Sequence, residues 1–106
     1  MSIYGPWREA IITVATDDDL TPEVELGRSF ERLQIVIPPL TECKISLQVG
    51  VGTGGLFQTL GLDTTTGMTT GSFTTVFELG GWQYIKVATS VGQAADRTFK
   101  VRGFEP

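Results

Sequence analysis

A chain of 106 residues, 41% of them hydrophobic, has the length of one domain and enough apolar material for its own core. Its net charge of −4, with eight scattered Lys and Arg and no basic run, argues against a nucleic-acid binder, which needs a cationic stripe to neutralise phosphates. It has no histidine and one cysteine, which excludes Ser-His-Asp and Cys-His catalysis, His-ligated zinc and an intramolecular disulfide.

Residues 1–8 carry Ile3, Tyr4, Gly5, Pro6 and Trp7 and read as an extended arm. Either its aromatics tuck against the domain edge, or Tyr4 and Trp7 dock on a partner, since aromatics bury large areas with few rotors. The arm lacks the charged start, apolar centre and cleavage site of a signal peptide, and no apolar run reaches bilayer length, so the expectation is a cytosolic product with no membrane partner. Residues 9–16, EAIITVAT, form a strand candidate, with Ala10 and Ile12 on one face. Asp17, Asp18 and Asp19 then read as a solvated turn. A Ca²⁺ loop is the alternative, but the spaced D-x-[DN]-x-[DN]-G pattern is missing.

Residues 20–27 read as extended and 29–37 as a strand that Pro38-Pro39 should stop. The next run has strict period-two alternation, with Cys43, Ile45, Leu47, Val49 and Val51 on the buried side, so Cys43 reads as an inert core thiol. Residues 50–55, GVGTGG, are formally G-x-G-x-x-G, but no helix follows to hold a pyrophosphate, and the stretch reads as a turn. Residues 56–60 form a short strand. Residues 61–72, rich in Thr and Gly around Met68, form a long loop that is either a contact loop or plain surface.

Residues 73–79, FTTVFEL, form a strand, and Gly80-Gly81 reads as a turn into a closing hairpin with arms 82–89 and 98–104. In that hairpin Ile85, Val87, Phe99 and Val101 take the core side. Trp82, Tyr84, Lys86, Lys100 and Arg102 share the outer side, which is either a binding surface or a half-exposed face whose aromatics the Lys and Arg stems cover, and Asp96-Arg97 reads as a local ion pair. No helical period exceeds two turns. The chain is therefore predicted to be all-β, an antiparallel sandwich of jelly-roll-like form with about seven to eight short strands, organised as an arm (1–8) and a domain (9–106).

Three stretches carry a resemblance: IPPLTECKISLQV, GGLFQTLG, and LGGWQYIKVATS with QAADRTFKVRGF. In hydrophobic texture they resemble small β-sandwich virion proteins encoded beside the capsid genes of tailed bacteriophages. The resemblance implies a decoration or cement protein bound to the major capsid protein on the virion surface, assembled in the host cytoplasm, often as trimers. It implies no enzyme and no cofactor. The partner-binding candidates are Tyr4, Trp7, Arg8, Trp82, Tyr84, Lys86, Lys100 and Arg102. The rival expectation is a carbohydrate-binding module of a tail or fibre, using Trp82 and Tyr84. A hydrolase using carboxylates such as Asp63 and Glu78 is a third, weaker class, because nothing brings two acids together on one strand face with an evident acid and base.

Overall fold

The computed structural model describes residues 3–60 and 66–105, and all regular structure among them is β. Seven strands follow in order: β1 (Ile3–Tyr4), β2 (Arg8–Ile12), β3 (Val24–Cys43), β4 (Ile45–Gly50), β5 (Phe57–Thr59), β6 (Thr69–Thr89) and β7 (Arg97–Glu105). Every pairing is antiparallel, and one sheet runs β1-β7-β3-β6-β4-β5, with β2 beside β1 on the same edge of β7.

The sheet becomes a sandwich because its two longest strands bend. β3 has 20 residues and β6 has 21, so these are not the short strands that the sequence predicts. Between Glu25 and Arg32 the register slips twice: first β3 carries extra residues around Gly27, then β6 carries Gly80 and Gly81. All three glycines have positive φ, at 95°, 75° and 91°, a region open to glycine at little cost. Paired bulges of this kind carry two strands together from one layer into the other. One layer is then β1 and β2, β7, residues 30–37 of β3 and residues 73–78 of β6. The other is residues 24–25 of β3, residues 84–89 of β6, β4 and β5.

Between the layers lie the side chains that alternation assigns there. Leu33, Ile35 and Ile37 of β3, Ile45 and Leu47 of β4, Ile85 and Val87 of β6, and Phe99 and Val101 of β7 are all buried in one core with Phe30. Cys43 belongs to it, and burial pushes its thiol up from the ordinary value, as expected of an inert thiol.

Four sequence expectations are corrected. The closing hairpin does not exist: β7 pairs with β1, β2 and β3, while residues 82–89 belong to β6 and pair with β3 and β4. Gly80-Gly81 is a corner within one strand, not a turn between two. Pro38-Pro39 does not stop β3, because β7 leaves its flank after Val36 and β6 alone pairs onward, so one side of the strand no longer needs an N–H. Val51 leaves the alternation and stands 84% exposed in the 51–56 turn. In addition, Asp96 accepts the Val14 N–H at 3.0 Å, and Arg97 donates to the buried Gln93 at 3.1 Å and to Thr41 at 3.3 Å, in place of the expected Asp96–Arg97 pair.

Candidate functional site

The arm is part of the sheet. Ile3 and Tyr4 pair with Glu105 and Phe104, and the Gly5 N–H reaches the Gly103 carbonyl at 2.8 Å. Arg8 already lies in β2, opposite Val101. Pro6 and Trp7 bridge the two strands, and this carries the Trp7 ring over the outer face of β7. Arg102 points out from that face. Its guanidinium carbon lies 4.6 Å from the centre of the Tyr4 ring and 4.5 Å from that of Trp7, so the two aromatics bracket one cation. The Arg102 Nε–H donates to the Gln34 side-chain oxygen on the neighbouring β3, which ties the guanidinium to that strand. Tyr4 also stacks on Phe104, with centroids 5.7 Å apart and 16° between planes.

Around this bracket the outer face is apolar in the middle and cationic along one side. Val36 of β3 and Val76 of β6 are both exposed, and they line a shallow depression with Trp7, Gln34, Thr74 and Arg102. A second depression on the other side of Trp7 is lined by Arg8, Glu9, Val36 and Lys100. Lys100 and Arg102 thus share a face with one nearby acid, Glu9, on an otherwise acidic chain, while Arg8, in phase with core-facing Val101, stands at its edge. Tyr4 and Trp7 remain 54% and 46% exposed, so the rings are held in place and still available.

The structure divides the eight candidate residues into two groups. Tyr4, Trp7, Lys100 and Arg102 come together on this face, and Arg8 stands at its edge, in phase with core-facing Val101. Tyr84 and Lys86 lie in the other layer, where Tyr84 pairs with Gly50 and Lys86 with Gln48, and Trp82 stands at the corner opposite Phe30. Trp82 packs against the core, and the Lys86 ammonium sits 4.7 Å from the centre of the Phe57 ring. Trp82 and Tyr84 line a shallow depression with Ser29, Gly50, Val51 and Gln83. Sequence reading missed Gln34, Val36, Val76 and Phe57. The available signal was phase: Val36 and Val76 are apolar residues at the polar positions of their strands.

The remaining chemical candidates have structural surroundings. The carboxylates of Asp17, Asp18 and Asp19 lie within 4.8 Å of one another, all exposed. A hydrogen bond with the Asp17 side chain, some burial and the charges of Asp17 and Asp18 raise the Asp19 carboxyl above its ordinary value. The backbone of this turn accepts from Thr89 at 2.9 Å and from Gln93 at 2.8 Å, which ties β6 and the 90–96 connection to it. The glycine-rich 50–55 stretch is a turn, closed by the Gly55 N–H on the Gly52 carbonyl at 3.1 Å, and the Glu23 carboxylate accepts from Gly54 at 3.2 Å. Glu78 is ion-paired with Arg32 at 3.3 Å. Asp63, like the rest of residues 61–65 in the Thr/Gly loop, lies outside the described residues, whereas Met68 is exposed.

No family model and no curated protein matches the chain. Among solved structures, the SPBc2 prophage-derived protein YomS has a TM-score of 0.56 at 18% identity, covering 94% of this chain and 96% of that one. The family 32 carbohydrate-binding module of Clostridium perfringens NanJ, solved with galactose, also has a TM-score of 0.56, at 10% identity, covering 99% and 100%. What the chain shares with both is the fold: an all-β sandwich of the same extent, used by a prophage-derived protein and by a sugar-binding module.

Proposed function

We propose that this chain is a non-enzymatic structural protein of a tailed-phage particle. It is a decoration protein that binds the major capsid protein through the Tyr4–Arg102–Trp7 face and stabilises the head. It joins the capsid surface during assembly in the host cytoplasm. One observation carries the reading: two half-exposed aromatics, fixed on either side of an arginine, stand beside exposed Val36 and Val76 on an outer sheet face. Aromatic rings and arginine are the residue types that dominate protein–protein binding energy, and preordering them lowers the entropic cost of association. The fold shared with a prophage-derived protein supports the same reading.

The test is co-sedimentation with heads of the phage that carries it, using Trp7→Ala and Arg102→Ala. Deleting residues 1–8 is the poorer test, because it strips β1 from β7 and shortens β2. Each point variant is expected to keep the native circular dichroism and to weaken binding by roughly 30-fold, the equivalent of about 2 kcal/mol for a hot-spot side chain. Binding unchanged in both variants overturns the proposal.

A second reading has its own observation. The depression beside Trp82 and Tyr84 lies in the other layer, on a fold that a galactose-binding module shares. On that reading the chain is a carbohydrate-binding module of a tail or fibre, with aromatic rings offered to a sugar face.

A further inference from the structure

We propose that residues 73–79 of β6 form the edge to which a second copy of this chain adds, antiparallel, giving a twofold dimer with one continuous sheet. In its layer this segment pairs with β3 on one side. Among the described residues no strand pairs with its other side. The segment has defined ends: Gly71 and Ser72, with φ of 84° and 64°, interrupt it at one end, and Gly80 and Gly81 at the other.

Unpaired strand edges invite another strand, and proteins blunt them with charges, prolines, bulges or brevity. The other edges of this molecule are blunted so. β2 is five residues long, begins Arg8-Glu9 and follows Pro6. β5 has three residues. The start of β3 carries Glu25 and comes two residues after Pro22. By contrast, residues 73–79 read FTTVFEL: β-branched and aromatic, without proline or lysine, and with one charge, Glu78, already paired to Arg32. Phe73 stands opposite buried Ile37 and so belongs to the inner side of the layer, yet it is 38% exposed.

Charge and register identify the occupant as this chain itself. With the twofold axis at Thr75, Phe73 of one copy lies opposite Phe77 of the other, Thr74 opposite Val76, and Ser72 opposite Glu78. No like charges meet, although each copy carries −4. An edge whose one charge, Glu78, is already paired to Arg32 offers little to select a charged partner, whereas self-pairing sets aromatic against aromatic and β-branched against β-branched. The axis stands perpendicular to the sheet, so both Trp7–Arg102 faces point the same way. The two copies could then grip one surface together. A contact of this kind is isologous and closes at two, whereas the trimer implied by the resemblance needs a heterologous joint between two different patches.

The experiment measures the solution mass of the purified chain by sedimentation equilibrium without capsid, so its failure is separate from failure of the capsid reading. The expected mass is twice the 11.5 kDa of one chain. Val76→Glu, at an outward and half-exposed position, is expected to reduce it to a single chain with unchanged circular dichroism. Adding Thr74→Lys to Val76→Glu is expected to restore the dimer, because the twofold sets each lysine against the other copy's glutamate. A monomeric or trimeric wild type overturns the proposal. So does a dimer that Val76→Glu leaves intact, or one that it breaks and Thr74→Lys does not restore.

Discussion

Gly103 shows how one residue can hold the arm and the core at once. Its carbonyl accepts the Gly5 N–H, and a Cβ built on it would lie 2.0 Å from Cδ2 of Phe30. Phe30 is 1% exposed and held at the corner between Trp82 and the core, so the ring has nowhere to retreat. Gly103→Ala is therefore expected to cost about 1–3 kcal/mol, as overpacking of a tight site does. Gly52 is the internal control: it lies in an open turn with nothing within 4 Å of an added Cβ, and Gly52→Ala is expected to leave stability unchanged or slightly raised. Urea midpoints of the two variants check the pair. Equal midpoints would mean that the Phe30 ring moves freely, and would remove the packing argument for Gly103.

At the scale of the element, the corner decides the architecture, and Glu25 holds it. One oxygen of its carboxylate accepts the Gly27 N–H at 2.6 Å and the Gln83 side-chain N–H at 2.8 Å, so it joins the bulge of β3 to β6. The Gln83 hydrogen bond first, then the Gly27 N–H and the charge of Arg8, hold this carboxyl below its ordinary value. A depressed folded pKa means that the stabilisation is present above the unfolded value, about 4.3 for glutamate, and is lost as pH falls through the folded one. Glu25→Gln is expected to lower the urea midpoint at pH 7, and the gap to the wild type should close at pH 3, since the other carboxylates titrate in both proteins. A gap that persists at pH 3 would mean that the charge of Glu25 is not what matters. The same corner marks the limit of what sequence reveals. Period-two alternation located the buried side chains of β4, β6 and β7, because burial of one sheet face is written locally. Gly80-Gly81 is the composition of a hairpin turn and equally of a bulge with positive φ, so one long strand reads as two. The partner of β7 is set by pairing across the whole chain, and no local pattern records it. Tyr4, Trp7 and Arg102 were legible as residue types, whereas their convergence follows from β1 lying on β7.

At the scale of the molecule, the two functional readings fall on opposite layers of the sandwich, and this makes them separable. The capsid reading needs Trp7 and Arg102 on the face of β7; the sugar reading needs the depression beside Tyr84 in the layer of β4 and β6. Trp82 is an unsuitable probe for the second, because it packs against the core and its truncation would disturb stability along with binding. Tyr84 pairs with Gly50 at the outer side of its layer and is the cleaner position. The wild type, Trp7→Ala and Tyr84→Ala are to be titrated with galactose and sedimented with heads. A decoration protein gives no saturable sugar signal, loses head binding with Trp7→Ala and keeps it with Tyr84→Ala. A carbohydrate module gives the reverse: saturation by sugar that Tyr84→Ala abolishes and Trp7→Ala leaves intact. Salt adds an independent check on the capsid face. Lys100 and Arg102 supply its charge, and rim charges act mainly on encounter rates, which fall as ionic strength rises. The aromatic bracket around Arg102 owes its strength to ring faces and a planar cation, so Arg102→Lys is expected to weaken head binding nearly as much as Arg102→Ala, despite keeping the charge. Full binding by the lysine variant would reduce the bracket to a simple positive charge and undo the assignment of Tyr4 and Trp7 to the contact.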